Sequence, residues 1–232
     1  MIAMWQPVLW LTGCFLALFL IAELLYRVMH VEAEYTRKLV HAGTGLLTLL
    51  FPIFLSQVWQ AAVLCGSFLL LLLISLRIGW IPSINAVDRK TAGSWLYPVI
   101  VLLCFVFFRH MQEERNALFR PLYYFYTPLL LLALCDPVAA LAGRYWKRTH
   151  PDTAPGKTFA GSFSFFGTAL IICVGAALVF TTHVMPSNYF VTTGIATAYA
   201  TTLAERFSEG GWDNFTIPAV AILCIWATDY VL

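Results

Sequence analysis

A carboxylate and a lysine-bearing loop lie close together in this chain. Cys135-Asp136-Pro137-Val138-Ala139-Ala140-Leu141-Ala142-Gly143 is followed, after a basic, proline-bearing stretch, by Gly156-Lys157-Thr158-Phe159-Ala160-Gly161-Ser162. Phosphoryl transfer needs such a pair. Magnesium neutralises phosphate oxygens and is held by one or two carboxylates, with water completing its shell. A lysine just ahead of a helix's unpaired N–H groups attracts the phosphates themselves. Asp136, Ala139, Ala140 and Gly143 share one helical stripe, so the carboxylate stands beside a flat surface of small residues. The structural alternative is that Asp136 caps a helix beginning at Pro137 and the small stripe packs against a neighbour. The lysine loop is not a Walker A motif, because Pro151 occupies the position where its first glycine belongs.

Three further clusters carry polar chemistry. Arg37, Lys38 and His41 precede an apolar run, with Arg37 and His41 on one helical face. They form either a basic interfacial anchor or a cationic grip on a nucleotide phosphate, and an ionisable His41 one turn into the lipid favours a purpose beyond anchoring. Asp88-Arg89-Lys90-Thr91-Ala92-Gly93-Ser94 reads as a turn and helix cap whose Arg89 and Lys90 add positive charge to a phosphate site. Glu205 ends one apolar segment, and Asp213 and Asn214 open the next after Gly210-Gly211-Trp212. Either of the latter two caps its helix. With Glu205 they supply further metal or hydroxyl contacts.

The elements that must position these groups are membrane helices. A chain of 232 residues that is 60% hydrophobic and 11% charged has too little polar surface for a water-soluble globule. We read residues 1–232 as one all-α, multi-pass membrane domain, a bundle of seven or eight transmembrane helices. The candidate spans lie near 5–27, 38–56, 58–76, 93–109, 120–143, 160–182, 187–205 and 214–232. With the N-terminus outside, the cytoplasmic connections carry Arg27, Arg37, Lys38, Arg77, Arg89, Lys90, Arg144, Lys147, Arg148, Lys157 and Arg206, which is 11 of the 14 Lys and Arg residues. The positive-inside rule selects that orientation. Every polar cluster then falls on the cytoplasmic face, where one pocket would collect them. The cysteines stand singly in apolar runs, which argues against disulfides and zinc. A net charge of +2 gives no footing for nucleic acid.

In this order, Arg37-Lys38-Leu39-Val40-His41, Asp136-x-x-Ala139-x-x-x-Gly143, Lys157-Thr158-x-x-Gly161-Ser162, and Glu205 with Asp213-Asn214-Phe215-Thr216-Ile217-Pro218 resemble the CTP-dependent lipid-alcohol kinases, the family of dolichol, phytol and CTP-using diacylglycerol kinases. The similarity covers about residues 36 to 218. It implies that CTP and its Mg2+ bind along Asp136 to Ser162, that Arg37, Lys38 and His41 complete the site, and that a lipid alcohol accepts the phosphate among membrane lipids. Asp136, Lys157, Glu205 and Asp213 are the expected catalytic groups, with Asp136, Glu205 and Asp213 on the metal. Arg37, Lys38, His41, Arg89, Lys90, Gly143, Thr158, Gly161, Ser162 and Asn214 are the expected contacts to the nucleotide. The chain departs from the family's habits at Cys135 and Trp146, where glycine is common, and at Ala160, where glutamate is frequent.

Two other readings compete. Phosphatidate cytidylyltransferases share a related Asp-x-x-Ala and Lys-Thr-x-x-Gly arrangement, but their C-terminal His-Gly-Gly-x-x-Asp-Arg-x-Asp signature is replaced here by Gly210-Gly211-Trp212-Asp213-Asn214. A small transporter would use Asp136, His41 and Asp229 to line a path, and would be expected to show repeated halves with broken midplane helices. The sequence carries no such repeat.

Overall fold

Apolar runs must satisfy their own backbone hydrogen bonds in lipid, and here they do so as helices. A computed structural model describes residues 2–81, 83, 92–113, 121–152, 156–180 and 187–231. Its elements are α1 (Ile2–Arg27), α2 (Ala33–Thr48), α3 (Phe51–Phe54), α4 (Val58–Ile78), α5 (Gly93–Met111), α6 (Pro121–Leu130), a π-helical turn (Leu131–Cys135), α7 (Asp136–Thr149), α8 (Phe159–Phe180), α9 (Ser187–Phe207) and α10 (Asp213–Val231). No strand occurs among the described residues.

Among the described residues, five helical stretches are long and apolar enough to cross a membrane: Met4–Arg27, Val58–Ile78, Gly93–Met111, Pro121–Thr149 and Phe159–Phe180. Two of the remaining three expected spans, 38–56 and 187–205, differ for physical reasons. Residues 38–56 are not one helix, because α2 ends at Thr48 and a turn precedes α3, whose first turn holds Pro52. Its 16 residues reach about 24 Å at the helical rise, short of the roughly 30 Å hydrocarbon core. Threonine and alanine make α9 too polar to qualify, and its place is against α8 and α10. Helix α10 runs for 19 residues, Asp213–Val231, and its apolar stretch is described over Asp213–Thr228.

Two apolar cores, with a smaller cluster of Met111, Tyr123, Tyr124, Ala177 and Ile225 beside them, hold the bundle. One joins α1 to α6 through Phe15, Val40, Phe51, Phe68, Phe105 and Phe125. The other joins α7 to α10 through Ala139, Phe165, Cys173, Ala198 and Ile217. Small residues bring the second group close together: a Cβ on Gly194 of α9 would lie 3.2 Å from the Val174 backbone of α8. Helix α10 also packs on α5 and α6, which joins the halves.

The decisive irregularity lies between α6 and α7. Asp136 is not a helix cap, as one reading of the sequence had it; its backbone is helical, at φ −62° and ψ −49°, and the helix continues through it. Pro137 has no N–H to donate, and a proline inside a helix also clashes with the preceding turn. The π turn widens the helix just upstream. In that register Pro137 would have served the Leu132 carbonyl. His41 supplies the missing donor from α2, with Nε2 2.9 Å from the Leu132 oxygen.

Gly45 lets α2 come that near. A Cβ there would stand 2.3 Å from the Ala133 Cβ and 2.9 Å from the Tyr97 hydroxyl. Gly66 of α4 has nothing within 4 Å of its missing Cβ. Gly45→Ala is therefore expected to destabilise the protein by about 1–3 kcal/mol through overpacking, whereas Gly66→Ala holds or raises stability by about 0.5–1 kcal/mol through helix propensity. Thermal unfolding of the purified variants in detergent measures both, and equal midpoints would remove the close contact from the account.

Candidate active site

The first turns of α2, α5, α8 and α10, the whole inner face of α7 and the end of α9 converge on one cavity of about 1880 Å³. Its centre of charge is Lys157. Gly156, at φ +104°, turns the chain out of the basic loop, and Thr158 starts α8 by accepting the Gly161 N–H on its side-chain oxygen at 3.0 Å. Lys157 Nζ is left facing α9 and α10, 2.8 Å from Glu205 Oε1 and 3.3 Å from Asp213 Oδ2, and it also donates to the Glu205 carbonyl. Burial works against the Lys157 ammonium, but Asp213 and Glu205 outweigh it and hold the group above the usual lysine range. Glu205 is only 5% exposed. Ser162 Oγ donates to its second oxygen at 3.4 Å and accepts from Arg206 Nη1 at 3.2 Å.

Asp136 faces the same space from α7. Its nearest ionic partner among the described residues is His41 Nε2, 4.0 Å from Oδ2, and it feels the charges of Asp213, Lys157 and Glu205. A carbonyl can only accept, so the short His41 contact to Leu132 places the hydrogen on Nε2. His41 is thus a backbone donor and a neighbour of Asp136. Its ring also meets Tyr97 edge-on, with centroids 5.1 Å apart.

A second cationic group lines the rim. Glu34 binds Arg37 at 3.5 Å, Lys38 at 3.6 Å and Arg144 at 3.6 Å. Burial would raise its pKa, but Arg37, Lys38 and Arg144 together hold the carboxyl below its ordinary range. Arg144 also lies over the Tyr35 ring, 5.2 Å from its centroid. Sequence reasoning counted Arg144 and Lys147 as topology charges and passed over Glu34. The signal was present: Asp136, Ala139, Ala140, Gly143, Arg144 and Lys147 fall on one helical face, and all of them line the cavity.

The small-residue positions also have packing work of their own. Gly143 and Gly161 bring α7 and α8 together; a Cβ on Gly161 would be 2.9 Å from the Ala139 carbonyl, and one on Gly143 2.9 Å from Thr158 Oγ1. The flat stripe beside Asp136 is therefore covered in part by α8. Asn214 ties α10 to α5, donating from Nδ2 to the Gly93 carbonyl at 2.8 Å. Gly211, at φ +87°, permits that contact, since a Cβ there would lie 2.4 Å from the Gly93 nitrogen. Gly143, Gly161 and Asn214 still border the cavity. Arg89 and Lys90 lie outside the described residues.

Among the described residues, no three His, Cys, Asp or Glu side chains close around a point suited to a metal ion. Glu205 and Asp213 converge, but on the Lys157 ammonium. Among the described carboxylates lining the cavity, Asp136 and Glu209 have no lysine or arginine ion-pair partner, and Asp136 is the one that faces Lys157, Glu205 and Asp213. The described charged side chains lining the cavity are Arg37, Lys38, Arg144, Lys147, Lys157 and Arg206 against Glu34, Asp136, Glu205, Glu209 and Asp213. That is an excess of one cation among the described residues.

Away from these groups the same cavity is apolar, walled by Phe15, Phe19, Leu64, Phe68, Leu72 and Val101. One space therefore offers charge at one end and hydrocarbon contact at the other.

Comparison with known proteins gives the same picture. The profile of the cytidylyltransferase family matches residues 1–230. Over 220 residues the chain is 30% identical to the phytol kinase of Synechocystis sp. (strain ATCC 27184 / PCC 6803 / Kazusa), covering 93% of this chain and 88% of that protein. No solved structure matches. Whole-chain agreement with the profile and with a curated kinase leads to one assignment: this integral membrane protein belongs to the cytidylyltransferase family, among its CTP-dependent lipid kinases.

Proposed function

We propose that this chain moves the terminal phosphate of CTP to the hydroxyl of a long isoprenoid alcohol such as phytol or a polyprenol, at the cytoplasmic face of its membrane. The observation that carries the reading is the two-ended cavity. At about 1880 Å³ it exceeds the roughly 300–1,000 Å³ of a typical single-ligand site. A nucleotide at the charged end and an alkyl chain at the apolar end fill it together, and their reacting groups meet beside Asp136.

In the reaction the alcohol oxygen bonds to the terminal phosphorus while the bridging P–O bond to the second phosphate breaks. CDP leaves with that electron pair, and the alcohol's proton departs to water at the charged mouth. Such transfers pass through a loose transition state and ask little covalent work of the protein. Placement and charge supply the rate. Lys157 and the N–H groups opening α8 hold phosphate oxygens; Arg37, Lys38 and Arg144 hold the outer part of the nucleotide. Asp136 is the residue that would hold magnesium together with the triphosphate, and the ion supplies neutralisation of the phosphate charge. Glu205 and Asp213 aim Lys157, and Ser162 with Arg206 fixes Glu205. Cytidylyl transfer to phosphatidate uses the same charged end but releases pyrophosphate.

Asp136→Asn keeps the side chain's shape and removes its charge. It is expected to lower turnover by at least about 100-fold with an unchanged unfolding midpoint. Purified protein given CTP labelled at its terminal phosphate and a prenol is the assay: CDP and a labelled prenyl phosphate are expected, whereas pyrophosphate release would turn the assignment to cytidylyl transfer. Retained turnover in Asp136→Asn would remove this carboxylate from the centre.

Lys157 gives a pH test. Its folded pKa stands above the unfolded value of roughly 10.4, so its contribution to stability is complete below that value and is lost only as pH rises through the folded pKa. The KM for CTP is then expected to stay level from about pH 7.5 to 9, well below any lysine titration. Lys157→Met should raise that KM at every pH in the window. A wild-type KM that climbs steeply there, with no such climb in Lys157→Met, would contradict a fully charged Lys157.

A further inference from the structure

The apolar end of the cavity has a floor. On α4, Leu64, Cys65, Phe68, Leu72 and Leu76 line it at intervals of about one turn. From Leu76 to Leu64 that stripe runs about 18 Å at the helical rise, somewhat more than half of the roughly 30 Å hydrocarbon core. On the facing wall, Val40, Thr44 and Thr48 of α2 follow the same spacing. Thr44 and Thr48 spend their hydroxyl hydrogens within α2, on the Val40 and Gly45 carbonyls, each at 2.7 Å. With those hydrogens engaged inside the helix, neither hydroxyl donates into the arm.

The floor arises from the break after α2. Because the chain turns at Leu49 and Leu50 and restarts at Phe51-Pro52, the Phe51 ring swings beneath the arm, where it is 1% exposed. Phe15 packs edge-on to it at 6.2 Å and lies 5.2 Å from Phe68. Leu64, also 1% exposed, completes the closure.

Resting on the kinase reading above, we infer that this arm holds the acceptor's prenyl chain and that Phe51 and Leu64 set its length, favouring a single chain about one leaflet deep over a polyprenol several times longer. The occupant is fixed by continuity: the arm opens at the Asp136 end, and a chain lying in it carries its hydroxyl to the phosphate. A long polyprenol would have to leave between helices through the closed aromatic floor.

The test combines turnover with a binding map. Prenols of graded length are assayed with CTP in the wild type, in Leu64→Trp, which raises the floor, and in Phe51→Ala, which lowers it. Relative to the shortest prenol accepted, kcat/KM for a leaflet-length prenol is expected to fall about tenfold or more in Leu64→Trp, and kcat/KM for longer prenols to rise in Phe51→Ala. Misfolding cannot produce shifts of opposite sign. Equal loss at every length, or a preference for diacylglycerol over every prenol, would overturn the proposal. In parallel, a leaflet-length prenol bearing a diazirine on its terminal carbon is photolysed with the wild-type protein and the adducts are mapped by mass spectrometry. Adducts on Phe51, Leu64 or Phe68 support the arm even if no prenol is phosphorylated, in which case the kinase reading alone fails. Adducts confined to the outward-facing Leu70 and Ile74 would overturn the arm whatever the turnover.

Discussion

The ion pair between Lys157 and Glu205 is the interaction on which the charged end depends. Glu205 is almost fully buried, and a buried carboxylate stripped of its partner costs about 3–5 kcal/mol. Lys157 meets that need from the loop ahead of α8, and in doing so binds the last turn of α9 and, through Asp213, the first turn of α10. Three elements distant in sequence are fixed by one ammonium. Ser162 donates to the remaining carboxylate oxygen and is itself held by Arg206, so the network is complete before any ligand arrives.

Completeness also explains the charge balance. Arg37, Lys38 and Arg144 share Glu34, and Lys147 donates to the Gly156 carbonyl at 2.5 Å. These cations are held in place by protein oxygens, which limits the side-chain entropy lost when a phosphate replaces one of those oxygens. The cost is a weak net positive field. In the proposed reaction, a triphosphate with its own divalent ion would match such a field better than a bare polyanion.

Much of this was legible in the sequence, though unevenly. The helical membrane class followed from composition, and the meeting of Asp136, Lys157, Glu205 and Asp213 followed from charge sidedness, because residues at the ends of alternate connections must share a membrane face. Local chemistry was harder. Asp136-Pro137 suggested a cap, since proline normally opens a helix; the π turn reversed that reading by letting the helix run through the proline, and no single-sequence signal marks such a turn. His41 looked like a phosphate ligand because it is ionisable in lipid, while its nearest partner is a backbone carbonyl whose need arises from that same turn. Asn214 and Gly143, read as nucleotide contacts, border the cavity and also secure helix crossings. Glu34 and Arg144 were passed over because each was weighed alone, whereas their meaning lies in the α2 to α7 contact.

The break after α2 joins these observations into one design. An uninterrupted helix through residues 38–56 would have carried Phe51 along the wall and left the apolar arm open below. Ending α2 at Thr48 costs a membrane span and leaves a turn that has to be accommodated by packing against α1, α4 and α5. In return the arm is sealed at one end while the other end, crossed by His41 and bordered by Asp136, stays open to charge. A kinase acting on a lipid hydroxyl must keep water from competing with that hydroxyl while still admitting a nucleotide from the aqueous side. A cavity closed in hydrocarbon and open only toward its cations meets both demands, because the alkyl chain itself fills the space through which water would otherwise approach the reacting oxygen from below.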